Sequence, residues 1–220
     1  MIGKPLALGL AAALLAGASF AAVQAIPVGP KLSDLGWKEL TFRDIPATSF
    51  AGRDDGVLEI RADKSSSVLY HGANETARRA STLSWSWQVV DGIPATDLSV
   101  RDGDDRNLSV HVAFAEPGLI NSFLGLFSPF AGGRALTYVW GGEAVANFAH
   151  PHLPEDAWIF VLRPASAPTG EWFNEEVDLK ADFERAFGEA APPVAAIGVS
   201  SDADALGLKT YGLIRNLVLN

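Results

Sequence analysis

The chain of 220 residues contains no cysteine. This absence excludes disulfide bonds, thiolate metal sites, cysteine nucleophiles and a lipidated N-terminal cysteine. Basic residues are also few, because 17 Lys and Arg stand against 26 Asp and Glu for a formal net charge of -9. A protein that follows the phosphates of a nucleic acid needs a basic face, so we expect no nucleic-acid partner.

Several catalytic motifs are missing as well. The sequence has no G-x-S-x-G elbow, no G-x-x-x-x-G-K-[ST] phosphate loop, no H-E-x-x-H helix and no dinucleotide-binding glycine pattern. It therefore gives no support to a serine hydrolase, a nucleotide hydrolase or a zincin-type metalloenzyme. What is present, 48 % hydrophobic and 20 % charged residues, is typical of a globular protein whose length suits one domain.

The N-terminal segment has the composition of an export signal. Lys4 precedes an uncharged stretch over residues 6–23 that is mostly Ala and Leu. We predict a signal peptide over 1–25, cleaved after Ala25, with cleavage near Ala21 as a second possibility and an uncleaved membrane anchor as the alternative reading. The expected product is a single domain over 26–220 in the periplasm or outside the cell, without a membrane span after signal removal.

The mature chain is dominated by short alternations of apolar and polar residues. Leu83, Trp85, Trp87 and Val89 alternate with polar residues, so a strand would present all four on one face. The same pattern recurs at 108–114, and further predicted strands cover 57–61, 67–71, 136–140, 158–162, 171–179, 194–200 and 210–219. About nine short strands separated by Gly and Pro predict an all-β fold, an antiparallel two-sheet sandwich of the jelly-roll kind.

Two short helices are expected to interrupt the strands. Lys180 to Phe187 has an apolar face and ends at Gly188, which suits a helix stop. Leu119 to Phe130 is an uncharged run rich in Leu and Phe. It is either a lid packed over a sandwich edge or an exposed patch that contacts a membrane or a partner protein.

Two acidic loops are the first candidates for chemistry. Asp102, Asp104 and Asp105 lie on one glycine-containing loop and would suit a hard cation such as calcium, although a solvated turn is the simpler explanation. Asp202 and Asp204 follow the strand that ends near residue 200. If that strand runs antiparallel to the one that starts at residue 107, both loops lie at the same end of a sheet, where they form a joint binding site or an acid–base pair for glycoside cleavage.

Histidine and tryptophan supply the other candidates. His150 and His152 are two residues apart and would share a transition metal or simply lie exposed in a loop. Of the six Trp, Trp140 beside Gly141 and Trp172 after Gly170 fall at predicted strand ends, where a loop would expose them as platforms for a sugar ring. Core packing is the alternative for both.

Several of these segments, in this order, resemble an exported bacterial family catalogued as domain of unknown function 3047. The segments that carry the resemblance cover most of the chain after Trp37 and lie at 83–89, 102–106, 110–114, 136–141, 171–172, 178–183, 186–188 and 197–204. The resemblance implies secretion and a β-sandwich, with no activity to carry over. It also implies that Asp104, Asp105, Asp202 and Asp204 belong to the family motif. The chain departs from the family pattern at 205–207 and 213–215.

Three functions follow as expectations. The first is an exported, non-catalytic β-sandwich that binds a carbohydrate or another cell-envelope polymer through Asp104, Asp105, Trp140, Trp172, Asp202 and Asp204. The second is a polysaccharide-cleaving enzyme that uses the acidic loops. The third is an envelope scaffold or interaction protein that uses Leu119 to Phe130.

Overall fold

The computed structural model of the chain describes residues 24–114 and 133–220. Most of the predicted signal peptide and the whole apolar segment Leu119 to Phe130 lie outside the described residues. The described part is nearly all β, and two sheets pack face to face as a sandwich. The prediction of an all-β, two-sheet sandwich is therefore confirmed.

The described residues form thirteen strands, one α-helix and three short 3-10 helices. Numbered along the chain, the strands are β1 (Gln24–Ala25), β2 (Lys38–Thr41), β3 (Ser49–Gly52), β4 (Leu58–Asp63), β5 (Ser66–Gly72), β6 (Thr82–Asp91), β7 (Arg106–Phe114), β8 (Arg134–Trp140), β9 (Ala146–Ala149), β10 (Ala157–Arg163), β11 (Phe173–Asp178), β12 (Val194–Asp202) and β13 (Lys209–Leu219). The 3-10 helices are Leu32–Leu35, Ala77–Arg79 and Arg101–Gly103, and α1 is Leu179–Phe187.

The strands divide between a six-stranded and a seven-stranded sheet. The six-stranded sheet has the order β11-β6-β13-β4-β3, with β1 paired to β13, and the seven-stranded sheet has the order β2-β5-β12-β7-β8-β10-β9. Neighbouring strands are antiparallel except β8 and β10, which run parallel. The expectation of purely antiparallel sheets is wrong for this pair. The alternation of apolar residues shows which face of a strand is buried, but it does not show in which direction the strand runs.

Large aromatic residues join the two sheets in the core. Trp85 and Trp87 of β6 meet Tyr138 and Trp140 of β8, with ring centroids 5.7 Å apart in both inter-sheet pairs. All four side chains are at most 2 % exposed. Edge-on and tilted aromatic pairs of this kind add to the gain from burying their area. The alternating pattern of β6 is thus explained by core packing, as the sequence indicates.

Helix α1 begins and ends as its sequence indicates. Asp178 caps its start, since one carboxylate oxygen accepts the backbone N–H groups of Lys180 and Ala181 at 3.0 Å. Gly188 ends it with a φ of 71°, a left-handed conformation that glycine adopts without steric cost. Phe183 is fully buried against Phe114 of β7, which fixes the helix on the sandwich. None of the helices in the described part of the chain is long and apolar enough to cross a membrane.

The outer face of the seven-stranded sheet is covered rather than open. Toward one edge Leu98, from the loop before β7, packs on Val139, Ile159 and Val161 of β8 and β10. Toward the other edge Leu40 of β2 packs with Val68 and Tyr70 of β5. The strands between these two clusters, β12, β7 and part of β8, carry polar side chains on the same face, and these form the floor of the site described next.

Candidate functional site

The floor of the site is a row of buried polar side chains on three neighbouring strands. His111 of β7 places Nδ1 3.1 Å from Oγ1 of Thr137 and Nε2 2.8 Å from Oγ of Ser200. Leu108, Val110 and Val112 point to the core, so His111 belongs to the opposite face of the same strand. Burial, followed by the nearby Arg106 and His150, lowers the pKa of His111 well below its ordinary value. The imidazole is therefore neutral at physiological pH.

A buried guanidinium closes one end of this floor. Arg106, the first residue of β7, lies opposite Asp202, the last residue of β12. Its Nη1 is 3.2 Å from Oδ2 of Asp202 and donates a hydrogen bond to the carbonyl oxygen of Asp104 at 2.5 Å. Its Nε donates to Oγ of Ser109 at 2.8 Å. These contacts hold the guanidinium in one place between the two acidic loops.

Asp105 holds the second acidic loop against the first. It is 1 % exposed, and its Oδ1 and Oδ2 accept the backbone N–H groups of Ala205 and Leu206 at 3.1 and 2.8 Å. Burial raises the pKa of the Asp105 carboxyl above its ordinary value, with the two backbone hydrogen bonds acting in the opposite direction. Its main role in the fold is thus to tie the turn after β12 to the start of β7.

The two acidic loops converge, as antiparallel pairing of β7 and β12 requires. One oxygen from each of Asp105, Asp202 and Asp204 lies within 4.8 Å of the others. Burial is the largest cause that raises the pKa of Asp202 well above its ordinary value; a side-chain hydrogen bond with Asp204 and the charges of Asp104 and Asp204 add to it, against the effect of Arg106. Oδ1 of Asp202 is buried and accepts no backbone N–H and no basic or hydroxyl donor among the described residues.

The converging carboxylates differ from the predicted metal set of Asp102, Asp104 and Asp105. Asp104 directs its carboxylate to His152, with Oδ2 3.3 Å from Nε2, and toward Arg106 at 3.9 Å. The side chain of Asp102 lies outside the described part of the chain. The expectation placed all three ligands on one loop, whereas the sheet register brings Asp202 and Asp204 from the other loop to Asp105.

A pocket of about 550 Å³ lies above this floor. Its wall includes apolar side chains such as Phe42, which is 37 % exposed, and Leu153. Its polar lining combines carboxyl groups, imidazoles, hydroxyls and guanidinium groups: Ser66, Arg101, Asp104, Arg106, His111, Thr137, His150, His152, Asp156, Ser200, Asp202 and Asp204. The pocket therefore offers hydrogen-bond donors and acceptors beside a small apolar surface.

The two loop histidines form part of the pocket wall. Nδ1 of His150 accepts the backbone N–H of His152 at 3.2 Å, and Nε2 of His152 is 3.2 Å from the carbonyl oxygen of Arg101. Burial, with Arg106 and His152 nearby, lowers the pKa of His150 to about 3. In the described part of the chain, the one group of three or more metal-ligating side chains is Asp105, Asp202 and Asp204. The predicted histidine pair thus forms part of the pocket wall, and the His150 imidazole is neutral near pH 7.

Neither of the two tryptophan candidates lines the pocket. Trp140 is 0 % exposed and packs between Trp87 and Phe173 in the core, so its proposed role as a sugar platform is wrong. It shares the parity of Leu136 and Tyr138 in β8, which is the reason that it faces inward. Trp172 is half-buried beside the six-stranded sheet, where the guanidinium of Arg215 lies 4.0 Å from its ring centre.

Sequence reasoning missed the floor of the site. His111, Thr137 and Ser200 come from three strands far apart in sequence, and no spacing along the chain connects them. The signal that was available is the parity of β7, which puts Ser109 and His111 on the face opposite the core. That signal does not reveal that loops cover this face and turn exposed polar positions into a buried row.

Comparisons with known proteins identify a matching family and several solved structures with a low degree of similarity. The family described as Protein of unknown function (DUF3047) matches residues 35–218. No curated protein matches the sequence. Among solved structures, a family 29 carbohydrate-binding module complexed with cellulohexaose is 12 % identical, covers 90 % of this chain and 89 % of its own, and has a TM-score of 0.41.

Two further solved structures are similar to the same degree. The xyloglucanase domain of NopAA, a type three effector from Sinorhizobium fredii in complex with cellobiose, is 8 % identical over 82 % of this chain and 91 % of its own, with a TM-score of 0.46. A family 11 carbohydrate-binding module from Clostridium thermocellum, in complex with a mixed-linked tetrasaccharide, is 8 % identical over 84 % and 88 %, with a TM-score of 0.40. All three TM-scores are below 0.5, and the function of this chain is inferred from its own pocket.

Proposed function

Because this chain belongs to the DUF3047 family, whose description names no function, we propose a function from its pocket: the protein is exported and binds a carbohydrate of the cell envelope or its surroundings without cleaving it. The observation that carries the proposal is the pocket of about 550 Å³ on the seven-stranded sheet. Export is proposed from the N-terminal sequence alone, with its single Lys4 and uncharged stretch over 6–23.

The polar groups of the pocket suit a ligand with many hydroxyls. Carboxylates accept hydrogen bonds, guanidinium groups donate them, and neutral imidazoles and hydroxyls do both. Pockets that bind small ligands combine an apolar surface with a few convergent polar groups held in fixed positions. Here Arg106 and His111 are fixed by their own hydrogen bonds, so the floor is already organised before a ligand arrives.

The charge of the lining favours a neutral ligand over a polyanion. Four carboxyl groups line the pocket, on Asp104, Asp156, Asp202 and Asp204, against two guanidinium groups on Arg101 and Arg106. The protein as a whole carries a net charge of -9. Because like charges repel and desolvation of unpaired anions is costly, polymers of uronic acids are disfavoured and neutral glycans are favoured.

The experiment is a glycan array followed by affinity electrophoresis and calorimetry with the glycan retained best. Phe42→Ala and Asp204→Asn alter the pocket. Trp172→Ala is the matched control, because Trp172 lies beside the six-stranded sheet and not in the pocket. We expect each pocket variant to weaken binding at least tenfold and Trp172→Ala to leave it unchanged. Failure to bind any neutral glycan, or loss of binding in Trp172→Ala alone, contradicts the proposed site.

Polysaccharide cleavage is a second proposal that one observation favours: two carboxyl groups, those of Asp202 and Asp204, line the same pocket with oxygens within 4.8 Å of each other. Glycoside hydrolysis uses two carboxyl groups on either side of the scissile bond. Asp105 is a poor choice for either role, because it does not line the pocket and both of its oxygens accept backbone hydrogen bonds. Turnover of the retained glycan that is abolished in Asp202→Asn would establish cleavage, and binding without turnover would exclude it.

A further inference from the structure

We propose that Asp105, Asp202 and Asp204 bind one calcium ion at the wall of the pocket. One oxygen of each residue lies within 4.8 Å of the other two. Calcium–oxygen bonds of about 2.3–2.6 Å place oxygens on opposite sides of the ion up to roughly 4.6–5.2 Å apart. The spacing of the three oxygens is therefore compatible with one shared ion.

A buried oxygen without a donor is the second observation that points to a cation. The Asp202 side chain is 9 % exposed, and its Oδ2 faces Arg106 while its Oδ1 accepts no backbone N–H and no basic or hydroxyl donor in the described part of the chain. Its other close neighbour is the carboxyl group of Asp204, which needs a shared proton or a cation between the two acids. A buried acceptor that lacks a partner is costly and calls for an unplaced water, ion or other group. A carboxylate oxygen beside two further carboxylates is a ligand for a hard cation.

The local charge matches a divalent ion. The three carboxylates carry three negative charges, and Arg106, 3.2 Å from Asp202, supplies one positive charge. Because Arg106 also faces Asp104 at 3.9 Å, at least two negative charges remain in a region where Asp105 and Asp202 are both buried. Like charges this close are relieved by a cation or by protons, and an ion with two positive charges neutralises the cluster.

Calcium is favoured over magnesium because its coordination tolerates irregular arrangements of oxygen ligands. Calcium accepts carboxylate and carbonyl oxygens in flexible arrangements, whereas magnesium requires near-octahedral geometry at about 2.0–2.1 Å. The cluster joins the start of β7, the end of β12 and the turn that follows it. An ion here would cross-link these three segments and stiffen the wall of the pocket. This inference does not depend on what the pocket binds.

The test is calcium binding to the purified full chain after treatment with EDTA. Isothermal titration with CaCl₂ should give one site per chain, and thermal denaturation should shift upward with calcium, because an ion that binds the native state alone stabilises it. Asp204→Asn should weaken calcium binding at least tenfold. Asp156→Asn is the matched control, since it removes the same charge from the same pocket outside the cluster.

Asp204 is the best position to change, because Arg106 pairs with Asp202 and the backbone of the following turn binds Asp105. Far-UV circular dichroism in EDTA verifies that Asp204→Asn is folded. No heat and no thermal shift at millimolar calcium would overturn the proposal and indicate that protons, rather than an ion, neutralise the cluster. Equal weakening in Asp204→Asn and Asp156→Asn would overturn it too. Because no glycan is present in the titration, failure here leaves the proposed carbohydrate binding untouched.

Discussion

Nη1 of Arg106 lies 3.2 Å from Oδ2 of Asp202, and the two residues are direct partners in the register of β7 and β12. Both side chains are at least nine-tenths buried. This pair stands where the two acidic loops meet, so the sandwich cannot bring the loops together without also burying the ion pair. The stability of the site and that of the fold are therefore coupled.

Removal of Arg106 should destabilise the protein strongly. In Arg106→Met, Asp202 is left as a buried carboxyl group without its counter-charge, and breaking a buried pair in this way costs about 3–5 kcal/mol. Arg43→Met is the matched control, because Arg43 and Asp44 form an ion pair at the surface with both side chains more than 80 % exposed. Urea denaturation gives the free energy of unfolding for each. A loss no larger than that of Arg43→Met would show that water or a proton already compensates Asp202.

Trp140 and Trp172 should differ sharply in their contribution to stability. Trp140→Ala opens a cavity in the fully buried cluster with Trp87 and Phe173, and Trp-to-Ala changes in cores cost about 3–5 kcal/mol. Trp172→Ala removes a half-buried ring and its contact with Arg215, for an expected loss of about 1 kcal/mol. Urea denaturation of the two variants tests the difference. Similar losses would mean that Trp140 is not part of the core.

The sequence pattern predicts the sandwich because its information is local. Alternation in β6 and β7 places Trp85, Trp87, Val110 and Val112 in the core, and all four are buried there. The same parity, applied to Leu136, Tyr138 and Trp140, predicts that Trp140 faces inward. A glycine beside Trp140 suggested exposure instead, and the buried strand outweighs that local turn signal.

The site is less accessible to sequence reasoning, because it depends on pairing. Antiparallel alignment of β7 and β12 is enough to predict that Asp105 and Asp202 approach each other. Which carboxylates converge depends on side-chain direction: Asp104 turns to His152, whereas Asp105 turns to the loop after β12. The burial of His111 depends on loops that cover the outer face, and hydrophobic alternation carries no information about them.

Acid should destabilise the fold through two histidines. The pKa of His111 in the folded protein lies well below its ordinary value, and that of His150 is about 3, so the unfolded chain binds two protons that the folded chain excludes. Above about pH 6.5 both histidines are neutral in the folded and in the unfolded chain, and they do not reduce stability. As the pH falls below that value, the unfolded chain takes up the protons, and the free energy of unfolding decreases by up to about 1.4 kcal/mol per pH unit for each histidine. Urea denaturation from pH 7.5 to 5.5 measures the loss.

His111→Gln isolates one of these two contributions. The neutral amide retains hydrogen bonding to Thr137 and Ser200, and the slope of unfolding free energy against pH should fall by about one proton, or about 1.4 kcal/mol per pH unit. Carboxyl groups with raised pKa, such as Asp105 and Asp182, act in the opposite direction at lower pH but do so equally in both proteins. An unchanged slope would show that His111 is protonated in the folded protein.

Gly141 should tolerate no side chain, because it lies against the backbone that carries Arg106. A Cβ atom at Gly141 would be 2.9 Å from Cβ and 3.2 Å from Cα of Arg106, so Gly141→Ala forces β7 and the segment after β8 apart. Overpacking of this kind costs about 1–3 kcal/mol, and the displaced Arg106 should also weaken ligand binding in the pocket.

Gly72→Ala is the matched control, since a Cβ there meets nothing within 4 Å and its φ is not positive. We expect that variant to be neutral or more stable by about 0.4–1 kcal/mol, because alanine restricts the unfolded chain. Thermal and urea denaturation of both variants measures the contrast, and an equal effect at the two glycines would contradict the close approach of Gly141 to Arg106.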